Sequence, residues 1–80
     1  MTIMTAVGLR LGDLLIKYNI TQNDLAQKTG LSTNTINNIV TARYKSMHMN
    51  ALIQICIALN ISIRDFFDDP LFALDKLENK

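Results

Sequence analysis

Helix breakers are scarce in this chain: proline occurs once in 80 residues, at Pro70, and glycine three times. With so few breakers, and with apolar residues recurring three and four apart, the chain reads as all-helical. Tryptophan is absent and Cys56 is the single cysteine. One cysteine can neither form an internal disulfide nor anchor a cysteine-based zinc site. No apolar run approaches the ~18–20 residues that span a bilayer, and no charged-then-apolar leader with a small-residue cleavage site is present. The expectation is therefore a soluble, cytoplasmic protein with no membrane contact. Repeats and low-complexity stretches are also missing. What is present is ordinary for a globular chain: 49% hydrophobic and 19% charged residues, too apolar for disorder. Eighty residues make one domain with a lean core, since a chain of this size buries only about 60–65% of its unfolded surface.

The formal net charge of +1 hides an asymmetry. Residues 1–64 carry six basic side chains against two acidic ones, Asp13 and Asp24. Residues 65–80 carry two basic against five acidic. A mildly basic body with an acidic end suits a polyanionic partner for the body alone. The total is well short of a balance that argues nucleic acid by itself.

Residues 1–6 lack periodicity and are expected to fray. The body, residues 7–68, opens with an amphipathic stripe of Val7, Leu11, Leu14, Leu15 and Tyr18. Gly8 and Gly12 share a face of that helix, either to admit a close neighbour or to mark a loose first turn. Thr21 is an expected N-cap, with Asp24 three residues on as a short-armed capping box. The second helix, about 22–29, buries Leu25 and Ala26 and stops at Gly30. Ser32 caps a third helix, about 33–41, which points Ile36, Ile39 and Val40 inward. Residues 42–48 read as a loop. A fourth helix, about 49–60, sets Met49, Leu52, Ile55, Cys56 and Leu59 inward, with Ile53 and Ile57 widening its apolar surface. Ser62 caps a short fifth helix holding Ile63, Phe66 and Phe67. Asp69-Pro70 opens an acidic segment, 69–80, which allows a short sixth helix. Its row of Leu71, Leu74 and Leu77, with Phe72, either packs on the body or forms a dimer surface.

The second and third helices carry the functional information. Each is too short to be stable alone. A glycine-containing turn joins them, and a small residue, Ala26, sits where one must cross the other closely. That is the helix-turn-helix pattern, whose second helix enters the DNA major groove.

From Thr21 to Ile36 (TQNDLAQKTGLSTNTI) the chain resembles the Cro/lambda-repressor-type helix-turn-helix domain, the XRE family. Counting from Gln22, the family expects alanine at +4, glycine at +8 and a branched apolar residue at +14, and the chain supplies Ala26, Gly30 and Ile36. Leu25, Leu31 and Ile39 match further core positions. Residues 52–67 are similar to the family's closing helices, so the likeness runs over residues 7–67. It implies a compact five-helix, lambda-repressor-like fold. Three departures stand out. Leu15 and Val40 replace an arginine–glutamate pair frequent in the family and are expected to meet as an apolar contact. Ala42 stands where glycine is usual. The third helix has no arginine or lysine.

The resemblance further implies a sequence-specific regulator of the repressor type. It places Gln22 and Ser32 at phosphates, beside helix amino ends. Arg43 and Lys45 follow in the next loop as counterion-releasing contacts. Thr33, Asn34, Asn37 and Asn38 face base edges. Asparagine bonds adenine and the threonine methyl packs on thymine, so an A·T-leaning half-site is expected. One short helix reads few base pairs, so a homodimer on a two-fold symmetric double-stranded operator is expected. The alternative is a protein-interaction module of the same fold, such as an antitoxin or anti-repressor. No catalytic residue, cofactor, metal or small-molecule site is predicted, because nothing resembles paired carboxylates, a phosphate-binding glycine loop or a nucleophile with its base. His48 reads as a loop or cap residue, Cys56 as core, and Arg10 and Lys17 as solvated charges.

Overall fold

The computed structural model describes residues 1–78 of the chain. It has five helices: α1 (Ile3–Lys17), α2 (Gln22–Thr29), α3 (Thr33–Val40), α4 (Met49–Leu59) and α5 (Ile63–Phe67). Two single 3-10 turns follow, Pro70–Phe72 and Leu74–Lys76, and no strand occurs among the described residues.

Short polar caps set the helix starts. Asp24 N–H donates to Thr21 Oγ1 at 3.0 Å while Thr21 N–H donates to Asp24 Oδ2 at 3.2 Å, closing the capping box that opens α2. Ser32 and Ser62 accept from the Thr35 and Asp65 amides at 3.0 and 2.9 Å. Each cap satisfies an amide that the helix cannot, worth about 1 kcal/mol. Gly30 ends α2 at φ +77°, a conformation that a Cβ would strain.

The core gathers one stripe from every helix. Leu11, Leu14, Leu25, Ile36, Ile39, Ile55 and Phe66 are almost wholly shielded from water. Leu15 is buried and Val40 packs partly buried against the same apolar cluster, where α1 lies across α3. Gly8 permits that crossing. A Cβ built there would lie 2.6 Å from both the Ile39 and the Val40 carbonyl oxygens, so this glycine serves close approach. At Gly12 the added atom would meet only Val40 Cγ1, at 3.8 Å. Cys56 is buried on α4, and desolvation pushes its thiol above the ordinary range.

Several expectations are corrected. Residues 1–6 are not a frayed lead. Helix α1 begins at Ile3 under a Thr2 cap, and Met4 and Ala6 are buried. The Met1 amino group also donates to the Lys76 carbonyl at 2.8 Å, and the Glu78 amide to the Met1 carbonyl at 2.8 Å. No sixth α-helix forms. Spacings of three between Leu71, Leu74 and Leu77 suit 3-10 geometry as well as α, and Ala73 is extended (φ −61°, ψ 127°), which divides the segment. The leucine row is consequently not one face. Leu71, Phe72 and Leu77 are partly buried against the chain's own body, and only Leu74 stands out, 86% exposed. The last residues of the 69–80 segment, 79 and 80, lie outside the described residues.

Met49 points outward, as does Ile63, because the inward arc of α4 is filled from Leu52 to Leu59 and that of α5 by Phe66. Arg10 is not a solvated charge. Its Nε donates to the Phe66 carbonyl at 2.8 Å, one terminal nitrogen donates to the Asp65 carbonyl at 2.8 Å, and the other pairs with Asp69 Oδ2 at 3.3 Å. The guanidinium thus satisfies the open carboxyl end of α5 and fastens it to α1.

Candidate nucleic-acid interface

Helices α2 and α3 form the site, and the turn between them is stitched by side chains. Thr29 Oγ1 donates to the Leu25 carbonyl at 2.8 Å and accepts from the Leu31 amide at 3.2 Å. Leu25 and Ala26 pack inward from α2, and Ile36 and Ile39 from α3. Once those apolar positions are fixed, the helical repeat turns the amide and hydroxyl residues of α3 away from the core.

Thr33 and Asn34 are exposed, and Asn37 and Asn38 are half-buried at the edges of the row. Three of these four are held by neighbours. Thr33 Oγ1 donates to Asn23 Oδ1 at 3.3 Å. Asn37 Nδ2 donates to Gln22 Oε1 at 3.3 Å, and Asn38 Nδ2 to the Tyr44 hydroxyl at 3.2 Å. Gln22 therefore spends its carbonyl on Asn37 and keeps its NH2 donors for another partner. Asn34 has no side-chain hydrogen bond among the described residues, so both ends of its amide are free.

Ser32 is exposed, but its hydroxyl is engaged at the cap, accepting from the Thr35 amide and donating to Thr35 Oγ1 at 2.9 Å. Arg43 and Lys45 are exposed in the loop after α3 and have no acidic partner among the described residues. Between them and α3 lies Ala42, at φ +58°, the left-handed conformation that favours glycine. Beside this loop a cleft of about 520 Å³ opens toward the start of α1, with Tyr44 and Lys45 on its border.

Sequence reasoning missed Asn23 and Tyr44 as supports of the row. Tyr44 carries a readable signal, as an aromatic with a hydroxyl between two cations in a short loop. Asn23 carries none, because its partner lies ten residues away across the turn.

A half-buried glutamine at the start of α2, an outward amide row on α3 and a free cationic loop define a helix-turn-helix unit of the DNA-binding class. Residues 10–70 match the Cro/C1-type HTH DNA-binding domain, and the chain belongs to that family. It is similar to the crystal structure of the prophage Lp1 protein 11, with a TM-score of 0.78 and 32% identity, over 90% of this chain and 95% of that one. No curated protein matches the chain. At family level the domain is that of a DNA-binding regulator. No helix of the described residues is long and apolar enough to cross a membrane.

Proposed function

We propose that this chain is a sequence-specific, repressor-like regulator in the cytoplasm that reads double-stranded DNA with α3 in the major groove. The outward row of Thr33, Asn34, Asn37 and Asn38, built on a helix with no charge of either sign, carries the proposal. Such residues are mediocre helix formers, so a purely structural surface would favour Glu, Lys or Ala instead. With no arginine to bond guanine, the row favours an A·T-leaning half-site through adenine N6 and N7 and the thymine methyl. Gln22 and Ser32 sit at helix amino ends suited to phosphates, Gln22 through its free NH2 group and Ser32 through the surrounding amides. A homodimer on a two-fold operator, with half-sites about 34 Å apart, would double the few base pairs that one copy reads. Selection of bound sequences from a random DNA pool tests the reading. An A·T-leaning inverted repeat should emerge; uniform recovery of all sequences would overturn it.

Asn34→Ala should cost about 1–3 kcal/mol on the selected site and loosen one base position. Titrating the variant on single-base operator variants checks this, and an equal loss on operator and random DNA would remove Asn34 from base reading. Arg43→Ala should instead weaken binding to every sequence and lower the slope of log K against log salt by about 1. An unchanged slope would exclude a phosphate contact.

The second reading, an antitoxin-like or anti-repressor-like module, draws on the net charge of only +1 and the acidic end. Absence of binding to any DNA at low salt would favour it.

A further inference from the structure

The hydrogen bond between Asn38 and Tyr44 joins α3 to the loop that follows it. That loop turns back sharply. The Ala42 and Arg43 amides donate to the Ile39 and Asn38 carbonyls at 3.1 and 2.9 Å, and Ala42 takes φ +58°. The turn returns the Tyr44 ring to the edge of the amide row, where it borders the cleft at the start of α1 with Ile3, Met4 and Thr5. Its hydroxyl accepts from Asn38 Nδ2 at 3.2 Å and keeps its own hydrogen. Asn38 Oδ1 has no partner among the described residues. An asparagine amide on a helix surface otherwise turns over freely, because its terminal torsion is broad and roughly two-fold. Asn34, with neither end held, has that freedom; Asn38 does not.

We propose that Tyr44 is a specificity-positioning residue: it holds the Asn38 amide with its nitrogen toward the loop, so that Asn38 meets the major groove with its carbonyl oxygen. The inference rests on the DNA-reading proposal and narrows it. An unheld asparagine offers the groove a donor, an acceptor or both, and so tolerates several bases. An asparagine held at its nitrogen leads with the acceptor. At the groove edge, adenine N6 and cytosine N4 carry amino donors, whereas guanine O6 and N7 and thymine O4 are acceptors. An outward carbonyl therefore selects a base with an amino group and opposes guanine and thymine, whose lone pairs face its own. The remaining hydroxyl hydrogen of Tyr44 can donate to a phosphate oxygen, but such a contact carries no sequence information. Tyr44 is neutral, so neither role releases counterions. Its signature is a base preference at one position, with the salt dependence untouched.

Selection from a random DNA pool with the full chain and with Asn38→Ala locates the base position that depends on Asn38. Competition binding on sites carrying each base there then compares the wild type with Tyr44→Phe. The wild type should prefer adenine or cytosine over guanine and thymine by about tenfold. Tyr44→Phe keeps the ring, so melting and the salt slope should stay as in the wild type, while the preference falls to about threefold or less. Asn38→Asp placed in the Tyr44→Phe background should restore the preference, because a carboxylate only accepts whichever way it turns. The added charge weakens every site alike, so the ratio between bases is the readout. Preference at the position that depends on Asn34 should not move in either Tyr44→Phe protein. An unchanged preference in Tyr44→Phe would overturn the proposal, as would an equal loss on all four bases or a wild type that prefers guanine or thymine there. So would an Asn38→Ala variant that loses no preference, or a carboxylate that restores none. Absence of selection at every position by the wild type is a different outcome: it would defeat the DNA reading itself, and this inference with it.

Discussion

Phe66→Ala is expected to cost about 3–5 kcal/mol, the range for emptying a fully buried aromatic site. A domain of this length has roughly 4–12 kcal/mol in all, so the variant should sit near or past its folding threshold. Phe66 is completely shielded and packs edge-on against Phe67 at 5.2 Å and beside Phe72 at 6.2 Å. The five-residue α5 has almost no helical stability of its own, so it is held by this ring together with the Arg10 fastening. With α5 loosened, the Phe66 and Asp65 carbonyls leave the Arg10 guanidinium, and the ring contacts of Phe72 go with them. Urea unfolding checks this: the midpoint should drop sharply at an unchanged slope. A loss below about 1 kcal/mol would mean that the cluster around Phe66 collapses to refill the space.

Gly8→Val should follow, at about 3 kcal/mol, with Gly8→Ala losing about 1–2 kcal/mol despite the roughly 1 kcal/mol that alanine gains as a helix former. The obstruction is backbone, the Ile39 and Val40 carbonyls 2.6 Å from the added carbon, so no side chain can swing aside. Gly12→Ala is the matched comparison, because its new carbon meets Val40 Cγ1 at an ordinary 3.8 Å. It should be neutral or stabilising. Thermal melting separates the two, with a fall of roughly 12–24 °C expected for Gly8→Val. The element pushed away is α3, so operator selectivity should decline before the helical content does. Equal behaviour of the two alanine variants would show that α1 and α3 slide apart at little cost.

Local chemistry made much of this architecture legible. Thr21 with Asp24, Ser32 and Gly30 declare the bounds of α2 and α3 through bonds within a few residues, so their reading needs no tertiary knowledge. The inward stripes follow from the helical period for the same reason. Long-range contacts were not legible. Met1 meets Lys76, and Arg10 meets Phe66, across most of the chain, and neither pairing leaves a mark in local pattern. The leucines at 71, 74 and 77 fit two helical periods at once, and the extended Ala73 decided between them. At the candidate site the outward row was legible from spacing alone. The partners that orient it, Asn23 and Tyr44, were hidden because they sit on other elements.

The Arg10 fastening also bears on how the protein would meet a polyanion. Its guanidinium already faces two carbonyls and a carboxylate, so this cation is largely cancelled within the fold. Of the proposed contacts, only Arg43 and Lys45 remain to displace counterions. At about −0.9 per neutralised phosphate, that sets a slope near −2 for each copy, or near −4 for a pair. Uncharged amides would then supply most of the discrimination, and occupancy would outlast rises in ionic strength that strip a lysine-rich binder from its site.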